Sequence, residues 1–245
     1  MKAVIELYYQ TQEHRIALGN QMAQDFIAAL DEKQAADYLE WLSIKKGKLV
    51  KEAVLIPGTV LEYIEDAELD IPLTGRYYLR FHEIEKDLKK DMSKEVKHAM
   101  IWIEFLEGVK GIGPVLGLAL INTLDPHKAK HRSSFFKYAG LSCDADGNAE
   151  RRKKGQKLTW NPFLKKVCWL VGQSFIKTGS PYREIYDKEK TKQRPLVQTD
   201  GHAHNRAARK MVKHFLGDLW EKWRELEGLP VDGPYVIDVM GHTKQ

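Results

Sequence analysis

The 245-residue sequence predicts a mainly α-helical fold, a long helical N-terminal arm followed by a helical domain with a helix-hairpin-helix element. Three observations predict it. Apolar residues recur at three- and four-residue spacing over long stretches, which puts them on one face of a helix. Asn161-Pro162 and Ser180-Pro181 carry helix-start chemistry, a capping side chain followed by proline at the first helical position. A glycine pair, Gly111 and Gly113, separates two apolar segments.

Taken in order, Leu7, Tyr8, Ile16, Leu18, Met22, Phe26, Ile27 and Leu30 predict one long helix from Ile5 to Leu30. Tyr38, Leu39, Trp41 and Leu42 predict a second, over residues 33–44. Residues 54–73 hold Pro57-Gly58 and Pro72 and form a connector, with a short helix over 59–68. Long helices follow over 75–90 and 93–107, the latter with Val96, Met100, Ile103 and Leu106 inward. After the glycine turn comes an irregular section, Asp125 to Lys157, holding a short helix at Ser133–Tyr138. Helices then run from Asn161 to Lys177, burying Val167, Leu170, Val171 and Phe175, and from Ser180 to Lys190. The last runs from Ala203 to Glu227 on Met211, Phe215, Leu219, Trp223 and Leu226, before a short tail, Tyr235–His242. Residues 1–100 therefore form an arm suited to self-association, or a bundle that packs on the next domain. Residues 101–245 form the second domain.

Composition narrows the function. No apolar run is long enough for a bilayer span, and Met1-Lys2-Ala3-Val4-Ile5-Glu6 meets charge too early for a secretory signal. The expectation is a cytoplasmic protein with no membrane partner and no cofactor. Cys143 and Cys168 form no Cys-x-x-Cys pair, and two reduced thiols are expected rather than a disulfide. Residues 1–107 hold 14 Lys/Arg against 20 Asp/Glu, a balance of −6, and the rest hold 25 against 14, a balance of +11. Such asymmetry suits a second half that meets a polyanion, or a solvated basic face.

Three features carry candidate chemistry. In the first, Gly111-Ile112-Gly113-Pro114 turns the chain tightly and opens a helix whose free N–H groups can hold a phosphate. Lys110 adds charge beside them. Such a hairpin grips nucleic-acid backbone without reading bases; the alternative is a plain turn between packed helices. The second feature is a basic stretch of eleven cations: Lys128, Lys130, Arg132, Lys137, Arg151, Arg152, Lys153, Lys154, Lys157, Lys165 and Lys166. Asp144, Asp146 and Glu150 oppose them, and Phe135, Phe136, Tyr138 and Trp160 are interleaved. An exposed ring there would stack on an unpaired base, although Phe136 and Tyr138 suit the core better. The third is a histidine group, His202 and His204 after Asp200, with His242 far along. It matches no strong metal signature, and Asp200 and His202 suit a helix cap equally well. No Gly-x-Ser-x-Gly, Walker loop or His-Glu-x-x-His occurs.

The ordered series Gly111–Pro114, Phe135…Tyr138-Ala139-Gly140-Leu141, Arg151–Lys157 and Asn161-Pro162-Phe163-Leu164-Lys165 resembles the C-terminal domain of the IS-one-ten insertion-sequence transposases. These are bridge-RNA-guided recombinases with a RuvC-like N-terminal domain. Tyr9, Gln12 and Arg15–Asn20 are similar to the family's helical arm, and Gly201-His202, Arg206, Arg209, Lys213, Phe215-Leu216 and Trp220, with Pro234-Tyr235 and Gly241-His242, to the ending of some members. The resemblance covers about residues 5–30 and 100–242. It implies DNA as a partner, or structured RNA, and a homo-oligomer formed through the N-terminal helices. The four-acid RuvC-like domain is expected to be missing. The family's nucleophilic serine precedes a glycine shortly after Ala-Gly-Leu, and Asp146 stands at that place, followed by Gly147. A carboxylate does not replace a serine nucleophile in phosphodiester exchange; Ser142, or Ser133 and Ser134, would be the substitutes. The expectation is therefore a transposase-like protein that grips DNA and is not catalytic alone. The alternative is an active recombinase subunit working with a partner chain or a relocated serine.

Overall fold

The computed structural model describes residues 1–53, 56–143, 149, 152, 154–155 and 157–231. Asp146, Arg151, Lys153, His242 and the tail segment Tyr235–His242 lie outside the described residues. Among the described residues there are ten α-helices and no strand, so the fold is mainly α. The chain divides into two units, Ala3–Asp91 and Met92–Gln245, with Met1–Lys2 counted in the second. The division falls inside a helix, nine residues before the boundary that the sequence suggests.

The first unit holds α1 (Lys2–Ala29), α2 (Glu32–Lys46), α3 (Pro57–Asp66) and most of α4 (Leu73–Glu95). Asp31 and Gln34 form a reciprocal capping box at the start of α2, and Gly47 ends it in the left-handed region. The C-terminal half of α1 supplies Met22 and Ala23 to a core completed by Tyr38, Leu42, Val60, Tyr63 and Ile64. Tyr38 and Tyr63 meet edge to face at 4.8 Å. Toward its N-terminus α1 pairs with α4 through one polar cluster. Glu85 accepts from Arg15 Nε at 2.5 Å, Gln12 Nε2 at 3.0 Å and the Tyr8 hydroxyl at 3.3 Å. The inward residues of α1 differ from the expected set: Ile5, Tyr8, Tyr9, Met22 and Ala23 are buried, whereas Leu7 and Ile16 are exposed.

The second unit begins with a departure from the predicted 93–107 helix. A 3-10 turn at Val96–His98, extended backbone at Ala99 and a second 3-10 turn at Leu106–Gly108 leave only α5 (Met100–Glu104) between them. This break shifts the helical phase by one residue. Ile101 and Trp102 face inward with Val96 and Leu106, and Met100 and Ile103 face out. α6 (Pro114–Thr123) and α7 (Arg132–Tyr138) follow. α8 (Pro162–Thr178) begins at the predicted cap, where Asn161 Oδ1 accepts from the amides of Phe163 and Leu164. α9 (Arg183–Gln193) and α10 (Asp200–Leu226) complete the unit, and α10 packs on α5, α7, α8 and α9. Phe105, Phe175, Tyr182 and Phe215 join α8, α9 and α10 in one aromatic core. Thr199, rather than Asp200 or His202, caps α10 by accepting from the His202 amide. Asp200 instead binds Lys190 and Arg194, each at 3.0 Å.

Candidate nucleic-acid interface

The turn at Gly111 is set by its own backbone and by α8. Gly111 has φ +102, which a side chain rarely tolerates, and a Cβ there would meet Thr178 Oγ1 at 2.9 Å and Phe175 at 3.0 Å. Ser174 Oγ donates to the Gly111 carbonyl at 2.6 Å, so α8 fixes the turn. Ile112 is buried beneath it, while Lys110 and Gly113 are exposed. Pro114 opens α6, and no side chain caps the amides behind it. The short α5 and α6 approach closely where Gly117 lies under the Trp102 ring: a Cβ at Gly117 would come within 2.5 Å of it. The turn thus presents open backbone and one lysine at the start of α6.

The described cations of the basic stretch have different surroundings. Lys128 is exposed and paired with Asp125 at 2.9 Å. Lys130, Arg152, Lys154 and Lys157 are exposed. Arg132 is partly buried, ion-paired to Glu221 and placed over the Trp220 ring, so its charge ties α7 to α10. Lys165 is partly buried with its ammonium 4.9 Å from the Trp160 ring centroid. Of the interleaved rings, Phe135 is core, Phe136 partly buried and Tyr138 43% exposed, which corrects the expectation for Tyr138. Ser142 is partly buried beside Cys143; Ser133 and Ser134 lie in the first turn of α7.

Sequence reasoning missed a larger feature. A cleft of about 900 Å³ opens between α8 and α10, with Gln193, Cys143 and Ala149 also lining it. Along α10, Arg206, Arg209 and Lys213 fall at i, i+3 and i+7 and line one wall. Lys165 and Trp169 line the other, and no carboxylate is among the described residues that line it. Arg206 donates to Gln193 Oε1 at 3.0 Å, and Arg209 to Cys143 Sγ at 3.3 Å. Lys210 is the exception, neutralised by Glu189 at 2.6 Å. Burial holds the Lys213 ammonium below its ordinary range, and the Arg209 charge adds to that effect while Cys143 opposes it. The signal was present in the sequence as the polar face of α10, opposite the Met211–Phe215–Leu219 stripe.

No protein-family model, curated protein or solved structure matches this chain.

The remaining candidates fall differently. His204 Nδ1 is taken by the Tyr186 hydroxyl at 2.8 Å. His202 is exposed at the cleft. No group of three His, Cys, Asp or Glu able to hold a metal occurs among the described residues. No helix among them is long and apolar enough to cross a membrane. Both cysteines are free; Cys168 is buried and its thiol is pushed up to about 12 by that burial.

Proposed function

We propose that this chain is a transposase-like nucleic-acid-binding protein, related to the insertion-sequence transposases it resembles, which grips the phosphate backbone and does not exchange strands alone. The observation that carries the reading is the α8–α10 cleft, whose walls present Arg206, Arg209 and Lys213 with no carboxylate among the described lining residues. The open turn at Lys110–Gly113 supports it as a second backbone contact in the same unit. Neither contact reads base edges, so the expected binding is weakly sequence-dependent. DNA is the proposed partner, with structured RNA as the variant of the same chemistry, and a cytoplasmic location goes with it. The proposed homo-oligomer forms through the Ala3–Asp91 unit.

Binding of a duplex oligonucleotide in rising salt tests the reading. Each neutralised phosphate contributes about −0.9 to the slope of log affinity against log salt. Three to five contacts predict a slope of roughly −3 to −5, and Arg209→Ala is expected to make it shallower by about one. A chain that binds neither the duplex nor a single strand at low salt, or binds with a flat salt response, does not have this function.

A further inference from the structure

The α8–α10 cleft carries one feature that backbone binding does not use. The sequence has six tryptophans. Trp102, Trp220 and Trp223 are buried, and Trp41 and Trp160 are partly so. Trp169 alone is exposed, at 60%, and it lines the cleft. An indole in water forgoes the large burial gain that places most tryptophans in cores and interfaces. Here it stands one helix away from three cations on a single face of α10. Its own helix buries Val167, Cys168 and Val171, so residue 169 is held on the outer side by the packing of α8.

Cations on one wall and a flat ring on the other match the two chemical faces of a nucleotide. The phosphates would lie along Arg206, Arg209 and Lys213, while a base face meets the indole. In a duplex every base face is already covered by its neighbours in the stack. The ring can therefore be used only by a base that is unpaired and free to turn out. Gln173, one turn beyond Trp169 on α8, lines the same wall.

We infer that the cleft holds an unpaired stretch of nucleic acid, its phosphates on the α10 cations and one base stacked on Trp169. This rests on the proposed nucleic-acid binding and narrows its substrate from backbone in general to single strands. An unstructured DNA strand and an unstructured RNA strand share this chemistry.

The test uses the intact chain and three labelled probes of equal length, read by fluorescence anisotropy: oligothymidylate, oligouridylate and a DNA duplex. The native chain is expected to hold one or both single strands more tightly than the duplex, and the tighter of the two identifies the source. Trp169→Ala is expected to weaken single-strand binding roughly 5- to 150-fold, the range for losing one stacked base. Duplex binding should change less than about twofold, because a duplex offers no base face. Trp169→Phe keeps a ring and should recover most of the affinity. Single-strand binding that survives Trp169→Ala overturns the inference, as does an equal loss on strand and duplex; in both cases backbone binding stands. A native chain that binds none of the three probes overturns both.

Discussion

Glu85 is the residue on which the polar pairing of α1 with α4 depends. Its burial alone would raise the carboxyl, but hydrogen bonds from Arg15, Gln12 and Tyr8, with the Arg15 charge, hold it below its ordinary value of 4.5. A carboxyl lowered by folding stabilises the protein above its unfolded pKa and loses that contribution as pH falls through the lower folded value. Stability from Glu85 should therefore be complete at neutral pH and decline only below about pH 4.5. Glu85→Gln is expected to cost about 1–3 kcal/mol at neutral pH and less at about pH 3. Urea unfolding at the two pH values checks it; an equal cost at both would mean that the charge is irrelevant. Lys213 shows the opposite balance. Its ammonium is depressed by burial with no carboxylate beside it among the described residues, a standing cost that a bound phosphate would offset.

At the level of elements, the approach of α5 to α6 is the most exacting contact in the second unit. Gly117→Ala would drive a methyl into the Trp102 ring, at 2.5 Å from its nearest carbon. Overpacking of this kind is expected to lower stability by about 1–3 kcal/mol, measured by thermal unfolding; an unchanged melting temperature would contradict the close approach. Elements with local signals were legible in the sequence. Asn161-Pro162 starts α8 because a cap needs only its own side chain and the next two amides. The inner stripe of α10 was legible because one helix buries it continuously, and Met211, Phe215, Leu219 and Trp223 are all buried. The break between Val96 and Gly108 was not, because Val96, Met100, Ile103 and Leu106 keep helical spacing across it. The break accompanies the seating of Trp102 on Gly117, fifteen residues onward, a contact that no local pattern encodes. The candidate site was half legible for the same reason. The Gly111 turn advertises itself through two glycines, whereas the cleft exists only once α8 and α10 lie side by side. Arg132, counted among the binding cations, was claimed by Glu221 where α7 packs on α10.

For the whole molecule, the charge imbalance acquires a physical location: the acidic balance falls in the arm unit and the basic excess in the unit that holds the cleft. Some of that basic excess is internal. Arg224 is buried, donating to the carbonyls of Pro126, Ala129 and Pro230, and it braces the loop before α7. The arm unit leaves Leu73, Tyr77 and Ile84 exposed on one face of α4. If that face joins two copies, sedimentation of the intact 28.2 kDa chain should give a dimer, and Ile84→Glu should return a monomer. A native chain that sediments as a monomer at high concentration would remove self-association from the picture. The two cysteines bring a different consequence. Cys168 is sealed in the core with a thiol pushed to about 12, while Cys143 is exposed at the mouth of the cleft. The unaltered protein thus comes with a single address for thiol chemistry, beside the place where a strand would lie. A small dye attached there would turn the wall of the cleft into its own occupancy meter, brightening or dimming as each strand arrives and leaves.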